Sequence, residues 1–401
     1  MASCVSIAPE AILALASHVR NDGSSPAFCF GTEKSPLEGG EAVVYAVRFP
    51  DGVTWAVRVP VHAAKSLGPA SLAAFMETQA TMLTRLAKSG FRWSPKLVSF
   101  DCGFDNHISH PYFVLSWFDG LPLQWTDTYP PEPQVREKIL RQIVDIRLEL
   151  AECTKDLRPN ASALAFLTRV VDGKIMRALT DEKPVFTPRD CFVHRALLPH
   201  VVHDALESEP SVFAISHEDL AAHNIIVDSE YNITGIVGWN FARVLPLQLA
   251  FRLPRFLAIE PDSPNETAPQ TPEDIRAFAT QFLQPSKALL TDRQYLTAYL
   301  ATVIADASQP ERAALAETMK SVLSDPDADW RYLVVEACFS KGMHAWLVHR
   351  DWLLHGTKGE LADSVNITPD KMAREVDSFL DGEGRDEGLT REALLEAINS
   401  Q

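Results

Sequence analysis

No two of the six cysteines (Cys4, Cys29, Cys102, Cys153, Cys191 and Cys338) form a CxxC pair. Their scatter excludes a zinc knuckle and a disulfide framework, and implies reduced, mostly buried thiols. Long apolar runs are missing too, since none approaches the roughly 20 residues that span a bilayer. Basic charge is in deficit. With 37 Lys and Arg against 53 Asp and Glu, the formal net charge is −16. That balance repels nucleic acid and anionic membrane, which draw most of their affinity from Lys and Arg. Neither partner is expected. The sequence also has no GxSxG nucleophile elbow, no dinucleotide fingerprint, no HExxH and no repeat of solenoid period.

What remains is a globular composition, 46% apolar and 22% charged, spread over 401 residues. A chain of that length exceeds what one hydrophobic core serves, so two lobes of unequal size are expected. Near the start, SIAPEAILALASHVR reads as a short amphipathic helix opened by Ser6 and Pro9. Glu10 interrupts what would otherwise be a signal-peptide core, and no basic leader precedes it, so a cytoplasmic protein is expected. Without a secretory signal, the four sequons at Asn160, Asn232, Asn265 and Asn366 carry little meaning.

From Phe28 to Leu123 the pattern is strand-rich. EAVVYAVRF and VTWAVRVP flank Pro50-Asp51-Gly52, which predicts a β-hairpin. SLAAFMETQATMLTRLAKSG has helical periodicity closing on Gly90, and PYFVLSWF is a further strand ending at Asp119-Gly120. From Pro133 onward long helical patterns dominate. The stretch Glu260 to Asp274 is acidic and Pro-rich and reads as a surface loop. The predicted organisation is an N-terminal helical extension over 1–27, a β-rich lobe over 28–120, a helical lobe over 121–380 and a polar tail over 381–401. GEGRDEG in that tail has no strand before it, so it reads as a solvated segment and not as a nucleotide turn.

The helical lobe is interrupted once, by SHEDLAAHNIIVDSEYNITGIVGWNFA at Ser216 to Ala242. Asn224–Val227 and Ile233–Val237 are apolar β-formers joined by a polar turn, so they are expected to pair as an antiparallel hairpin. A hairpin returns the chain to its origin. Asn224 and Gly238 should therefore lie side by side, next to the loop carrying His217 and Asp219. A base that takes a hydroxyl proton, with oxygen ligands that hold Mg²⁺, is what phosphoryl transfer requires. His217-x-Asp219-x4-Asn224 has that order and spacing.

This segment resembles the aminoglycoside phosphotransferase and choline kinase-like family, especially its fungal-type members, with their HxDLxxxNIxxD…ITGIIDWE pattern. LEGGEAVVYAVRF is similar to the family's phosphate-covering hairpin, with Gly39 and Gly40 at the turn. WAVRVP places Arg58 where the family has its nucleotide-pairing basic residue, and PYFVLSWFDGLPL is similar to its hinge strand. The resemblance, covering about Phe28 to Pro254, implies an α+β, two-lobed protein-kinase-like fold with a small β-rich N-lobe and a larger helical C-lobe. It also implies Asp219 as base, Asn224 as metal ligand and Arg58, Gly39 and Gly40 on a nucleotide.

Three departures stand out. Arg58 replaces the usual Lys, a tolerable swap at an anion site. The helix residue that would pair with it falls on Gln79, with Glu77 about 200° round the helix. Gly238 stands where the family carries its metal-binding Asp, which leaves a degenerate metal site at Asn224 and Gly238. Asp228 is about 13 Å away at roughly 3.3 Å per residue, and Asn240 is neutral, so neither replaces that acid.

Other candidates read as structural. His217 is either a catalytic partner of Asp219 or a brace bonded to backbone. His107/His110 and His200/His203 have chelating spacing but no third ligand in view. HAWLVHRDWLLHG sets Trp346, His349 and Leu353 on one helical face, which reads as core, with Trp346 or Trp352 as an alternative wall for an apolar ligand.

The favoured function is thus a kinase-fold protein whose Mg²⁺-dependent phosphoryl transfer is impaired or lost and whose cleft serves a small organic metabolite, with no cofactor required. Asp219 with His217 would then perform metal-free acid/base chemistry such as a cyclisation, elimination or isomerisation, or the protein would be a non-catalytic metabolite or nucleotide sensor. The alternative is an ATP- and Mg²⁺-dependent kinase of a small-molecule hydroxyl, with an acid supplied from a position not identified.

Overall fold

The structure, a computed structural model, describes residues 7–30, 37–38, 42–158, 162–181, 185–200, 202, 211–261, 271–349, 367–382 and 388–399. Two compact units emerge. One combines Met1–Gln124 with His217–Ala242, and the other combines Trp125–Ser216 with Arg243–Gln401.

The first unit begins with helix α1 (Pro9–Arg20), followed by strands β1 (Ala27–Phe28), β2 (Leu37–Glu38), β3 (Val43–Arg48) and β4 (Thr54–Val59). Helices α2 (Ala63–Ser66) and α3 (Pro69–Lys88) and strands β5 (Leu97–Asp101), β6 (Tyr112–Ser116) and β7 (Leu121–Pro122) complete its first segment. The main sheet is antiparallel in the order β1-β3-β4-β6-β5, with β2 on β3. The predicted hairpin is present: Arg48 faces Thr54 across the turn, where Gly52 takes φ +89 and Asp51 Oδ1 accepts from the Val53 N–H.

Ile12, Leu15 and Ala16 recur at helical spacing on α1 and are buried with Val43, Tyr45, Val47, Val57 and Val59 of the sheet. The helix expected as an extension is therefore part of this unit's core. α3 spans the predicted periodic segment and gives way to Ser89 and Gly90, the latter at φ +84. Its buried face carries Leu72, Met76, Ala80 and Gln79.

In the second unit, helices α4 (Pro133–Thr154), α5 (Ala163–Thr180) and α6 (Pro188–Leu197) accompany strands β8 (Asp156–Arg158) and β9 (Ser211–Ser216). Between β9 and the rest of this unit runs the 217–242 segment, with β10 (Ile225–Val227) and β11 (Ile233–Ile236). That segment was expected within the helical lobe, but it belongs to the first unit. β10 pairs with β7, and the Ile236 N–H donates to the Trp93 carbonyl at 2.7 Å.

The second unit resumes with β12 (Arg243–Pro246), which pairs with β9, and continues through α7 (Leu247–Ala250), α8 (Pro272–Leu283), α9 (Lys287–Ile304), α10 (Pro310–Leu323), α11 (Ala328–Ala337) and α12 (Lys341–Leu347). The last helices are α13 (Pro369–Asp381) and α14 (Arg391–Asn399). Leu394 and Ile398 of α14 are buried in the same core as Val376 and Phe379 of α13. The predicted polar tail thus ends in an amphipathic helix, because its apolar residues fall four apart and share one face.

The α+β class, with a small β-rich unit and a larger helical one, is as the sequence predicts. Among the described residues, no helix is long and apolar enough to cross a membrane.

The helical core encloses a histidine pair. His194 Nε2 is 3.0 Å from the Val334 carbonyl, which can only accept, so this nitrogen carries the proton. His194 Nδ1 is then an acceptor, and His344 Nδ1–H donates to it across 3.1 Å. Burial, with Lys174 nearby, pushes His344 down to about 3 and His194 well below its ordinary value. Groups whose folded pKa is depressed below 6.5 gain protons on unfolding, so their contribution is full above pH 6.5 and is lost as pH falls toward the folded values. Each ring is expected to remove about 1 kcal/mol of stability per pH unit below 6.5. Thermal melts from pH 7 to 4.5 should show this loss, and the slope should flatten in His344→Leu even if that variant melts lower.

Candidate functional site

β10 and β11 pair antiparallel, with Ile225 opposite Ile236 and Ile226 opposite Gly235. At the far end, Asp228 Oδ1 accepts from the N–H groups of Glu230 (2.9 Å) and Asn232 (2.8 Å), and Oδ2 accepts from Asn232 Nδ2. This carboxylate is used to close the turn, as a short polar side chain at a hairpin bend does. At the open end the Val237 N–H donates to the Asn224 carbonyl at 2.9 Å, which extends the ladder to the residues of interest.

The loop before the hairpin is braced by His217, which is 5% exposed. Its Nε2–H donates to the Val237 carbonyl at 2.7 Å, and its Nδ1 accepts from the Asp219 N–H at 3.3 Å. The ring packs edge-on against Trp239, with centroids 4.6 Å apart, and Trp239 Nε1–H in turn donates to the Ile236 carbonyl. Burial holds the imidazole below its ordinary pKa, partly offset by these backbone bonds and by the neighbouring carboxylates. Both nitrogens are thus engaged by backbone in the neutral ring. His217 sets the path of the loop, and of the two sequence readings the geometry fits the brace.

Asn224 is 7% exposed. Its side chain points at Asp219: Nδ2 lies 2.8 Å from the Asp219 carbonyl and 3.0 Å from Oδ2. Both partners can only accept, so the nitrogen is fixed on that side of the amide. Gly238 stands beside it at φ +82, a conformation that favours glycine. A Cβ built at Gly238 would lie 2.5 Å from Asn224 Oδ1 and 2.7 Å from Cγ. The expected adjacency of Asn224 and Gly238 is present, and the amide fills the space a side chain at 238 would need.

Magnesium asks for six oxygens in near-ideal octahedral geometry and gives up its waters reluctantly. The carboxylate here is Asp219, whose Oδ2 already accepts from Asn224. The second acid's position has no side chain and no room for one while the Asn224 amide stays where it is. These residues do not fit the ion. Among the described residues, no group of three or more His, Cys, Asp or Glu is arranged to hold a metal.

Arg58 lies on β4 between Val44 and Phe113 of the flanking strands. Its Nη1 donates to Gln79 Oε1 at 3.1 Å, so the helix register that assigned Gln79 opposite Arg58 is the one observed. Glu77 is on the exposed side of α3. Gln79, 4% exposed, leaves its Nε2 without a hydrogen-bond partner. Gly39 and Gly40 lie outside the described residues.

Of the proposed histidine pairs, His110 donates from Nδ1 to the Ile108 carbonyl, and His107 rests against the His18 ring with centroids 4.5 Å apart. His203 is outside the described residues, as are Trp352 and Leu353. Trp346 is buried against Phe278, as its core reading requires. Glu218 was not singled out from sequence, yet it holds φ +66 between His217 and Asp219. Nothing in its residue type signals that conformation, which β-carbon sterics disfavour.

The brace gives a direct expectation. His217→Ala removes a buried ring and leaves the Val237 carbonyl and Asp219 N–H without their partner, at a cost of about 2–3 kcal/mol. Denaturant unfolding would measure the loss, and an effect below about 0.5 kcal/mol would show that the loop holds its path unaided.

Residues 34–248, just over half of the chain, match the sequence model of the phosphotransferase enzyme family. No curated protein matches the chain. Among solved structures, it is similar to the aminoglycoside phosphotransferase APH(3'')-Id from Streptomyces rimosus, with 15% identity over 85% of this chain and 100% of that one, at a TM-score of 0.38. It is also similar to a macrolide 2'-phosphotransferase from Brachybacterium faecium, with 17% identity over 79% and 99% of the two chains and a TM-score of 0.37. A third is the ADP-bound aminoglycoside phosphotransferase APH(2'')-Ib, with 10% identity over 91% and 99% and a TM-score of 0.45. These likenesses are too distant to add weight, and the family match stands without them. The chain belongs to the phosphotransferase enzyme family.

Proposed function

We propose that this member of the phosphotransferase family does not carry out magnesium-dependent phosphoryl transfer, and that Asp219 serves a small organic molecule as a metal-free acid/base group. The observation that carries this reading is the Asn224 amide. It donates to Asp219 and lies where a second metal-binding acid would have to begin. Phosphoryl transfer depends on cations that neutralise charge on the transferred group. With no acid at 238 and the Asp219 carboxylate already hydrogen-bonded to Asn224, the residues beside Asn224 hold such a cation poorly.

Asp219 is partly exposed, and its backbone is tied to His217. A carboxylate held in one orientation by an N–H donor is suited to taking a proton from a bound substrate. His217 keeps that carboxylate in register. Under this reading the bound molecule reacts, or is simply held, without nucleotide.

An ATP-dependent kinase of a small hydroxyl is the competing reading, and Arg58 at the family's basic position favours it. Thermal melts with ATP, with and without Mg²⁺, separate the two. The expected outcome is no magnesium-dependent shift and no ATP hydrolysis above buffer. A shift of several degrees that needs both, with hydrolysis abolished in Asp219→Asn, would establish the kinase instead.

A further inference from the structure

We infer that a small recess in the second unit, walled by α7 and the residues after it together with α10 and α11, is a binding site for chloride, with Arg252, Arg331 and Gln248 as its polar wall. The inference does not depend on the role of Asp219.

Size sets the first limit on the occupant. The recess measures about 20 Å³, somewhat more than the roughly 10–15 Å³ that one water needs and far below the hundreds of Å³ of an organic ligand's pocket. Only a water or a monatomic ion fits.

Composition sets the second limit. Leu249, Ala328 and Val335 are among the apolar lining residues, and the polar lining consists of two guanidinium groups and one primary amide, with no carboxylate. A guanidinium carries five N–H donors and no acceptor, so the charged part of the wall can only donate. A cation is repelled there. A water must also place its own hydrogens, and the lining side chains offer it a single oxygen, that of Gln248. Chloride accepts from every donor and has nothing to place.

Both arginines are held in position from outside the recess. Arg252, 8% exposed, donates from Nη2 to Glu336 Oε2 at 2.7 Å and from Nη1 toward the Leu249 carbonyl at 3.4 Å. Its Nε–H is buried and meets no acceptor, a condition that an ion or a water in the recess relieves. Arg331 donates from Nε to Asp325 Oδ2 at 3.1 Å and from Nη1 to the His200 carbonyl at 2.8 Å. Neither Glu336 nor Asp325 lines the recess. The wall is thus organised before any ion arrives, which lowers the cost of binding one.

The field close by has the matching sign. Burial holds His200 below its ordinary pKa, and the two charges that add to this effect, Lys371 and Arg331, are both cations. An ion in the recess joins the segment after α7 to α11, and α7 continues directly from β12. Such an ion binds only the folded chain, so it raises thermal stability with its concentration.

Bromide, which replaces chloride and scatters anomalously, is the direct probe. Crystals of the full-length protein grown in dilute sodium bromide should show an anomalous peak in contact with the Arg252 guanidinium. A recess holding water alone would overturn the inference, and so would a peak seen only at molar bromide, which is binding at crystal concentration only. Melts in sodium chloride and in sodium gluconate at equal ionic strength should differ, with Tm about 1–3 °C higher in chloride. Gluconate is too large to enter, and equal melting in the two salts would contradict the site. Ala328→Leu fills the recess with carbon and touches no charged group, so it should abolish both the peak and the salt difference. A difference that survives there would place the ion elsewhere and overturn the assignment. Should Ala328→Leu not fold, Gln248→Leu is expected to raise the chloride concentration at half-effect about tenfold, and an unchanged midpoint would count against the site. The bromide map of the unaltered protein decides whatever the variants do.

Discussion

One hydrogen-bonded side-chain pair governs the site: Asn224 Nδ2 on Asp219, over a glycine that leaves the room for it. A phosphotransferase needs the oxygen of such an asparagine, and a neighbouring carboxylate, turned toward a cation. Here the amide presents its nitrogen to the Asp219 carboxylate. The hydrogen bond uses Nδ2, and the amide oxygen is left facing Gly238, a position with no second acid.

The scaffold beneath that pair is ordinary and well determined. The β10–β11 hairpin carries Asn224 and Gly238 to one end, Asp228 closes the other, and His217 with Trp239 holds the preceding loop against the strands. Arg58 and Gln79 repeat the theme at a second place in the same unit. Where an ion pair between a strand cation and a helix anion would be expected of a kinase, a cation meets a neutral amide. Two carboxylates are thus replaced by uncharged residues, at 79 and at 238. Gln79 lies on the buried face of α3, and Gly238 carries no side chain.

Much of this was legible in the sequence because it depends on periodicity and turn chemistry. The Pro50-Asp51-Gly52 bend, α3 and the adjacency of Asn224 and Gly238 follow from spacings that a strand or helix fixes, and Gln79 facing Arg58 follows from the family resemblance. The rest depends on choices a sequence does not encode locally. Which way an asparagine amide turns is settled by its neighbours, and Glu218 at φ +66 is imposed by its surroundings. The tail reads as solvated because its glycines and charges outweigh Leu394 and Ile398 in composition, yet those two residues are buried in the helical core, with Leu395 packed beside them. The buried His194–His344 pair had no sequence signal either, since the two rings lie 150 positions apart.

Membership of the family and the proposed absence of a magnesium site are therefore separate statements. The first rests on the match over residues 34–248, the second on a few ångströms around Gly238. Crystals grown with Mn²⁺ and a non-hydrolysable ATP analogue, examined by anomalous scattering, address the second most directly. The expected map has no manganese peak within ligand distance of Asn224 Oδ1. An occupied peak there, completed by an acid from another part of the chain, would contradict it.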